Sequence, residues 1–362
     1  GYLSRAGRVD IMVAMNAQTY EEDLACVEPG GVLIYDSTWP RKELETREDV
    51  RVMPFPLSRI CNEIFEGSRE RILMRNIAYV GALAALLDID LIVIETALKE
   101  TFGKNKNLLD SNLTSINVGY EYAIENFKCP LETKVKRSKR TDSGIMIDGN
   151  TAAALGCVYA GATVASWYPI TPSTSLVDAF DLFCKDLRKD EKTGKNNYCI
   201  IQAEDELAAI GGALGAAWTG ARAFTATSGP GLSLMAEFLG LAYFTEIPLV
   251  LFDIQRVGPS TGMPTRTQQG DIIAAAYASH GDTRHVLLFP ANPEECFYLT
   301  IEAFDLADRL QTPIVVMSDL DIGMNDWPCP QLEWDDNYRP DFGKVHSSSV
   351  LEGMQRFERY VD

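Results

Sequence analysis

Apolar and polar positions along the first third of the chain alternate between short β-type runs and stretches with helical spacing. Predicted strands lie at 9–15, 31–35 and 51–54, and predicted helices at 19–26, 57–65, 76–87 and 94–102. Such alternation predicts an α/β layer structure. We expect this first domain, over 1–127, to lack its opening strands, because the chain begins without Met and runs directly into a strand-like segment.

A second and more regular α/β pattern covers 144–330. Its predicted strands lie at 163–168, 198–202, 221–227, 248–255, 284–289 and 312–318. Its predicted helices lie at 151–160, 174–185, 205–219, 232–243, 270–279 and 293–310. Strands that are joined through helices predict a doubly wound parallel sheet with helices on both faces.

Two segments fall outside this pattern. Residues 128–143 combine clustered basic side chains with a proline, which indicates a solvated linker between the domains. The alternative interpretation of this linker is a docking patch for an acidic redox partner. Residues 331–362 form a polar tail, and we expect it to lead into a further C-terminal domain beyond this sequence.

Composition and charge exclude several classes of protein. The 362 residues carry 33 Lys and Arg against 51 Asp and Glu, a net charge of −18, which argues against nucleic-acid binding. No apolar run reaches the roughly 18–20 residues that cross a membrane. Eight scattered cysteines without a Cys-x-x-Cys pair, and only three histidines, fit neither a zinc site, nor an iron–sulfur cluster, nor a disulfide scaffold. We therefore expect buried thiols and a cytoplasmic protein.

Four polar, turn-rich segments follow predicted strands of the second domain. In open parallel sheets, ligands bind beyond the carboxyl ends of the strands, so these segments are expected to converge on one edge. They are residues 168–174, 204–206, 228–231 and 255–266.

Three side chains in these segments are candidates for chemistry. Thr171 lies between two prolines that stiffen its loop, so its hydroxyl could donate to a carboxylate or carbonyl; the alternative is a turn that caps the next helix. Arg256 follows an apolar strand, where it could grip a carboxylate or form an ordinary ion pair. Glu206 opens a helix rich in Ala and Gly, a position that the helix dipole alone also favours.

Two glycine-containing motifs are less specific. Residues 228–231, Ser-Gly-Pro-Gly, could present N–H groups to an anion, although a plain tight turn is the simpler interpretation. Residues 258–262 match the Gly-x-Ser-x-Gly pattern of serine hydrolases, with Ser260 as the nucleophile. That motif requires a strand, the serine and a helix in immediate succession, whereas Pro264 follows here, so a hydrolase is a distant third hypothesis.

Taken together, four longer motifs resemble the α subunit of 2-oxoacid:ferredoxin oxidoreductases. They are Tyr-Pro-Ile-Thr-Pro-Ser-Thr, Glu-Asp-Glu-Leu-Ala-Ala-Ile-Gly-Gly-Ala, Thr-Ala-Thr-Ser-Gly-Pro-Gly-Leu-Ser-Leu-Met and Gln-Arg-Val-Gly-Pro-Ser-Thr-Gly-Met-Pro-Thr. The resemblance extends to residues 318–321. Residues 1–126 resemble the γ domain that some members fuse ahead of α, an arrangement similar to the 2-oxoglutarate enzymes.

The resemblance implies a thiamine diphosphate site shared with a β subunit. Glu206 would bind N1′ of the aminopyrimidine and so act in catalysis, whereas Thr171 and Arg256 would hold the substrate. The remaining residues expected at the cofactor are Tyr168, Pro169 and Ile170. Mg²⁺ and a [4Fe–4S] cluster are expected in the β subunit, because the motifs that would hold them are absent from this sequence.

The implied reaction is oxidative decarboxylation of a 2-oxoacid, with 2-oxoglutarate favoured, to acyl-CoA and CO₂, with electrons passed to ferredoxin, or the reverse. The expected assembly is a dimer of heterodimers that is active only with its β subunit, and CoA is the co-substrate. The alternative is a non-catalytic assembly or docking subunit of a thiamine-dependent complex.

Overall fold

The computed structural model describes residues 7–41, 44, 47–137, 143–260, 266–343 and 346–360. The chain divides into two compact units, Gly1–Lys139 and Arg140–Asp362. This division falls inside the predicted linker at 128–143. The finer domain limits, 1–127, 144–330 and 331–362, stay predictions.

Unit 1 begins with a small parallel sheet. Its strands β1 (Val9–Ala14), β2 (Val27–Asp36) and β3 (Arg51–Phe55) are arranged in the order β1-β2-β3, and α1 (Tyr20–Ala25) connects the first two. The three strands predicted in this region are confirmed. The helices that follow are α2 (Leu57–Ile64), α3 (Ser68–Leu87), α4 (Leu91–Phe102) and α5 (Lys106–Asn126).

Helix α5 was not predicted from the apolar pattern. Its buried positions include Asn112, Ser115 and Gly119, so it lacks the apolar stripe that indicates a packed helix. Instead, α5 packs by approaching α3 closely. A Cβ at Gly119 would overlap the carbonyl of Ala78, and one at Gly81 would overlap the carbonyl of Ile116. The two helices therefore pack backbone against backbone.

The first half of the predicted linker packs against unit 1. The Leu131 N–H donates to the carbonyl of Leu86, and the Val135 N–H to that of Leu87, both at 2.8 Å. Lys134 lies 3.5 Å from the carboxylate of Asp88. Residues 132–137 are exposed, so this half is solvated while two main-chain hydrogen bonds attach it to the end of α3. Its role as a linker stays a prediction. Residues 138–142 lie outside the described part of the chain.

Unit 2 contains a six-stranded parallel sheet together with a short antiparallel pair. The sheet strands are β5 (Val164–Trp167), β6 (Cys199–Gln202), β7 (Ala223–Thr227), β8 (Leu249–Gln255), β9 (Val286–Leu288) and β10 (Pro313–Asp319). The pair is β4 (Gly144–Ile147) with β11 (Trp327–Pro330). The helices are α6 (Gly149–Tyr159), α7 (Thr174–Leu187), α8 (Glu206–Trp218), α9 (Gly229–Phe244), α10 (Ile272–Ala276), α11 (Pro293–Leu310), α12 (Leu320–Met324) and α13 (Ser348–Glu352).

The strand order of this sheet is β6-β5-β7-β8-β10-β9, with every pair parallel. From β5 the chain moves first to one side, to β6, and then to the other, to β7. The order therefore reverses between β5 and β7, and in doubly wound sheets the crevice at such a reversal is where ligands bind. The predicted fold class and the six predicted strands of unit 2 are confirmed.

The two faces of this sheet are covered differently. Large aromatic side chains fill one face, under α6, α7 and α11; among them are Phe180, Phe224, Phe252, Phe297 and Phe304. The other face lies under α8 and α9, and its core consists mainly of Ala, Leu and Met. Small helical residues let these two helices approach the sheet closely. A Cβ at Gly212, for example, would lie 2.5 Å from Oγ of Ser166 on β5.

The segment after β11 packs on unit 2. The Tyr338 hydroxyl lies 3.0 Å from a carboxylate oxygen of Asp305 on α11, and Phe342 lies beneath the guanidinium of Arg222 at 4.7 Å. Arg359 lies 4.9 Å from the ring of Trp218 at the end of α8. The described part of the predicted polar tail is therefore attached to this domain at several points.

Candidate active site

Arg256 joins the end of β8 to the loop after β5. Its side chain is only 5% exposed, and Nη1 donates to the carbonyl oxygen of Thr171 at 2.6 Å. Nη2 donates to Oγ of Ser260 at 3.3 Å, whereas the buried Nε has no partner among the described residues. Burial lowers the pKa of Arg256. The guanidinium is thus held in place while part of its donor set stays available for a carboxylate.

Thr171 differs from the expectation in one respect. Arg256 binds its main-chain carbonyl, whereas the sequence argument had assigned the interaction to the hydroxyl. The alternative predicted a turn that caps the next helix. The turn is present, because the Ser173 hydroxyl and the Thr174 N–H both donate to the carbonyl of Ile170, but Ser173 makes no side-chain capping hydrogen bond to α7. Thr171 itself is exposed, so its side chain is accessible to a ligand.

Glu206 is the first residue of α8. Asp205 caps this helix by accepting from the Ala208 N–H at 2.7 Å, which leaves the glutamate free for another purpose. Glu206 is 8% exposed, whereas Glu204 and Asp205 are exposed. No hydrogen bond or ion pair reaches its carboxylate from the residues that the structure describes. A buried and unpaired carboxylate at a sheet edge is a candidate for binding a ligand.

The surroundings of Glu206 lie at the start of α9. A Cβ at Gly231 would lie 2.9 Å from Cγ of Glu206 and would overlap the hydroxyl of Thr227. The 228–231 segment is the N-cap and first turn of this helix rather than an isolated tight turn. Its Ser228 hydroxyl is buried and makes no hydrogen bond with described residues.

These contacts meet from two sides of the strand reversal. Glu206 follows β6, and its Cγ lies against the first turn of α9, which follows β7. Arg256 follows β8, yet it contacts the loop after β5, so its side chain passes in front of β7. Thr171 and Arg256 are joined directly, and Glu206 lies at the same edge without a hydrogen bond to either.

The three residues expected beside the cofactor follow β5 directly. Tyr168 is half-buried against the core under α8 and α9, Pro169 is exposed, and the carbonyl of Ile170 serves the start of α7. They form a surface at the strand reversal, and their cofactor role stays a prediction.

A buried acid near this edge was missed from the sequence. Asp253 lies in β8 with no exposed surface, and neither carboxylate oxygen has a partner among the described residues. Burial raises its pKa, and the nearby charge of Asp271 raises it further. The available signal was a single acid within the apolar strand Leu-Val-Leu-Phe-Asp-Ile-Gln.

The serine hydrolase hypothesis receives no support from the described residues. No hydrogen bond joins Ser260 to a histidine there, and residues 261–265 of its motif lie outside them. The part of the chain that is described contains no group of His, Cys, Asp or Glu that could hold a metal. All eight cysteines are free; five are buried and Cys199 is exposed. None of the described helices combines the length and apolar character needed to cross a bilayer.

Comparison with known families decides the relationship of this chain. A family model described as pyruvate flavodoxin/ferredoxin oxidoreductase, thiamine diphosphate-binding, matches residues 155–346, more than half of the chain. A second, described as pyruvate ferredoxin/flavodoxin oxidoreductase, matches residues 2–122. The chain belongs to the 2-oxoacid:ferredoxin oxidoreductase family. The resemblance drawn from the four motifs is thereby confirmed.

Individual relatives agree with this assignment. The chain is similar to the 2-oxoglutarate oxidoreductase subunit KorA of Mycobacterium tuberculosis, with 31% identity over 91% of this chain and 53% of the relative. It is 46% identical to the 2-oxoglutarate synthase subunit KorA of Archaeoglobus fulgidus over 49% of each chain. It therefore spans about half the length of the curated relatives that it matches.

A solved structure also resembles this chain. It is the 2-oxoglutarate:ferredoxin oxidoreductase from Magnetococcus marinus with 2-oxoglutarate, coenzyme A and succinyl-CoA bound. The TM-score is 0.77 with 31% identity, and the match covers 93% of this chain and 57% of the other. The shared fold extends over both family matches, whereas the roles of individual residues rest on the geometry described above.

Proposed function

We propose that this chain is the α-type subunit of a thiamine diphosphate-dependent 2-oxoacid:ferredoxin oxidoreductase in the cytoplasm, with 2-oxoglutarate as the favoured substrate. The reaction is oxidative decarboxylation to acyl-CoA and CO₂ with electrons to ferredoxin, or the reverse. The observation that carries the proposal is the pair of contacts spanning the strand reversal, Arg256 with Thr171 and Glu206 with the start of α9. The solved relative with 2-oxoglutarate and coenzyme A supports the choice of substrates.

Glu206 fits the pyrimidine of thiamine diphosphate. Its carboxylate is nearly buried, faces the strand reversal and has no partner among the described residues, so it can accept a hydrogen bond from a ring nitrogen. When bound, thiamine diphosphate supplies the electron sink that decarboxylation of a 2-oxoacid requires. The protein's part is to hold a proton at the pyrimidine nitrogen. Tyr168, Pro169 and Ile170 would line the same side.

Arg256 and Thr171 fit the substrate. A 2-oxoacid presents a carboxylate beside a carbonyl, and a guanidinium with unused donors can bind the former in a fixed orientation. The 2.6 Å bond to the Thr171 carbonyl holds Arg256 in this position before the substrate arrives. The exposed Thr171 side chain then lies beside the bound acid. Together they supply orientation and charge complementarity.

A β subunit would complete the site. Following the family resemblance, we expect Mg²⁺ and a [4Fe–4S] cluster in that partner. The helices α8 and α9 expose the large apolar side chains Leu207, Leu234, Leu241 and Phe244. Exposed apolar side chains on the two helices whose first turns meet at Glu206 support a partner subunit that covers them. We expect the native assembly to be a dimer of heterodimers that donates electrons to ferredoxin.

The decisive experiment compares Glu206→Gln with Glu204→Gln in the complex purified with its partner. We expect Glu206→Gln to lower kcat by about 100-fold or more and to weaken binding of thiamine diphosphate. The exposed Glu204 two residues earlier is the matched control, and its variant should stay within about threefold of wild type. Cofactor binding is measured by titration with thiamine diphosphate, and turnover by reduction of ferredoxin.

Two results would contradict the assignment. Unchanged turnover and cofactor affinity in Glu206→Gln would remove its catalytic role and favour the non-catalytic assembly subunit. A loss confined to Glu204→Gln would move the cofactor contact to the first acid of the motif.

A further inference from the structure

A short segment of unit 1, residues 128–137, differs in charge from the rest of the chain. We call it the basic ribbon. It carries Lys128, Lys134, Lys136 and Arg137 against the single acid Glu132. Residues 1–127 before it carry 13 basic and 20 acidic side chains, and residues 138–362 after it carry 16 and 30. The basic ribbon is therefore a positive stretch between two parts of the sequence that are both negative.

Main-chain hydrogen bonds attach the basic ribbon to unit 1 at two points. The Leu131 N–H donates to the carbonyl of Leu86 at 2.8 Å. The Val135 N–H donates to the carbonyl of Leu87 at the same distance, and both acceptors lie at the end of α3. Leu131 is also buried in the core of unit 1. A partner that binds here therefore has little of this backbone to order, which lowers the entropic cost of binding.

The charges of the basic ribbon are accessible and mostly uncompensated. All four of its basic side chains are exposed. Lys134 lies 3.5 Å from the carboxylate of Asp88, and both side chains contact solvent, so this pair is weak. Within the described part of the chain, the other three basic side chains form no ion pair. They are Lys128, Lys136 and Arg137.

Local rather than total charge decides which partner is attracted to this place. At an ionic strength of about 0.1 M, exposed charges are screened beyond about 10 Å. An acidic protein is repelled by most of a chain with a net charge of −18, but close to the basic ribbon it meets uncompensated cations. Such complementarity raises the rate of encounter and orients the partner. The charge pattern therefore favours an acidic partner.

The size of the basic ribbon limits the partner further. A stable protein interface takes roughly 20–30 residues from each side, whereas weak electron-transfer encounters bury less surface. The basic ribbon has few residues, and its one exposed apolar side chain is Val135, between Lys134 and Lys136. A permanently bound subunit would need more surface than this. A transient acidic partner, such as an electron carrier, fits it.

We propose that the basic ribbon is the docking surface for a small acidic electron-carrier protein, and that its occupant is ferredoxin, the electron acceptor of the proposed function. Lys128, Lys136 and Arg137 supply the attraction, and Val135 supplies an apolar contact among them. The basic ribbon binds and orients the carrier and takes no part in decarboxylation. The identity of the carrier rests on the proposed function, whereas the preference for an acidic protein rests on the charge of the basic ribbon itself.

The test compares two double variants of the complex purified with its partner subunit. Lys136→Glu with Arg137→Glu reverses two charges of the basic ribbon. Lys104→Glu with Lys106→Glu is the matched control, because it makes the same change in net charge at two exposed lysines of unit 1. We expect KM for an acidic ferredoxin to rise about tenfold in the ribbon variant at low ionic strength, and to stay within about twofold of wild type in the control.

Further measurements separate docking from chemistry and from folding. With the small dye methyl viologen as acceptor in place of ferredoxin, turnover of both variants should stay within about twofold of wild type. Their melting temperatures should equal that of wild type, since the substituted side chains are exposed. Raising the ionic strength from about 0.05 M to about 0.5 M should bring the ferredoxin KM values of wild type and the ribbon variant together, because the charges are then screened.

Several results would overturn the proposal. An unchanged ferredoxin KM in the ribbon variant would do so, and an equal rise in both variants would make net charge alone responsible. If the ribbon variant loses turnover with the dye as much as with ferredoxin, the segment serves the fold or the chemistry instead of docking.

Failure of the proposed function gives a different result. A wild-type complex that reduces neither dye nor ferredoxin with any 2-oxoacid would refute that function. Direct titration of ferredoxin against wild type and both variants tests the basic ribbon without turnover, and we expect weaker binding in the ribbon variant only. Binding of a short RNA but not of ferredoxin in the same titration would assign these cations to a nucleic acid and overturn the docking proposal.

Discussion

An arginine is buried to the same degree at each end of the strands of the six-stranded sheet, which we call the amino edge and the carboxyl edge. The two arginines differ in their hydrogen-bond partners. Arg222 at the amino edge and Arg256 at the carboxyl edge are both 5% exposed. Arg222 donates to Asp308, to Asp305, and to the carbonyls of Ala160 and Asp341, at 2.7–2.8 Å. Arg256 reaches one carbonyl and one hydroxyl among the described residues, and its Nε stays unpaired.

The pKa values of these arginines follow the same division. The pKa of Arg222 is raised. Burial by itself would lower it, but the carboxylates of Asp308 and Asp305 together have the larger effect. Burial lowers the pKa of Arg256 without opposition, since no carboxylate faces it among the described residues. A paired charge at one edge stabilises the fold, whereas the uncompensated charge at the other is the one that we propose binds an anionic ligand. On that proposal, one edge serves stability and the other binding.

The largest expected effect is on stability at the amino edge. Arg222→Met removes the cation from the buried Asp308 and the partly buried Asp305, and we expect the free energy of unfolding to fall by about 3–5 kcal/mol. Tryptophan fluorescence in a denaturant titration reports this, since Trp167, Trp218, Trp327 and Trp334 all lie in unit 2. The control is Arg309→Met, which removes an exposed pair with Glu302 and should cost less than about 1 kcal/mol. Equal losses would remove the distinction between buried and exposed arginines here.

The converse variant at the carboxyl edge should lose activity without losing stability. Arg256→Lys keeps the charge but removes the planar donor set, and we expect kcat/KM for the 2-oxoacid to fall about 100-fold. The denaturation midpoint should stay at its wild-type value, because no carboxylate loses its partner. Steady-state kinetics of the complex and denaturation of the same preparation provide the two readouts. A lower midpoint with unchanged kcat/KM would make Arg256 a structural residue and end the comparison.

A smaller effect is expected from the glycine beside Glu206. Gly231→Ala places a methyl group against Cγ of Glu206 and the Thr227 hydroxyl, and we expect a loss of about 1–3 kcal/mol together with weaker binding of thiamine diphosphate. Gly215→Ala on α8 is the control, because nothing lies within 4 Å of its Cβ position. That variant should gain about 0.5–1 kcal/mol through helix propensity. Denaturation and cofactor titration of both variants check this. If Gly231→Ala changes neither stability nor cofactor affinity, the first turn of α9 can shift to accommodate the methyl group.

The sequence predicted that the loops of Thr171 and Arg256 meet at the carboxyl edge. It did not predict which of their atoms form the hydrogen bond. Apolar strands joined through helices place every following segment at one edge, so Thr171 and Arg256 could be expected to meet. Which oxygen of Thr171 accepts depends on the backbone path between two prolines, and it is the carbonyl. The choice of Glu206 over Glu204 receives independent support from burial, because Glu206 is nearly buried against the first turn of α9 whereas Glu204 is exposed.

Contacts between residues that are far apart in the sequence could be predicted from it only weakly or not at all. Arg222 directly precedes β7, and only the fold brings Asp305 and Asp308 of α11 to it. Helix α5 packs through glycine and small polar residues, which carry no apolar period. Asp253 did carry a signal, a lone acid in an apolar strand, but the strand pattern was interpreted for fold alone.

The smallest expected effect concerns a neutral group at the amino edge. His285 precedes β9, is buried, and contacts the carbonyl of Ala278 through Nε2 at 3.1 Å. Burial lowers its pKa, and the Ala278 contact opposes this only in part. The unfolded chain therefore binds a proton first, and stability is lost as the pH falls through the unfolded value near 6.5, by at most about 1.4 kcal/mol per pH unit.

The His285→Gln variant should remove this slope, whereas His280→Gln, which replaces an exposed histidine, should leave it unchanged. Denaturation midpoints between about pH 8 and about pH 5 measure the difference. If wild type and His285→Gln lose stability equally as the pH falls, protonation of the buried imidazole is not the cause of that loss. The loss of stability at low pH would then have to come from protonation of the carboxylates around Arg222. In that case only the ion pairs of Arg222 would distinguish the amino edge from the carboxyl edge.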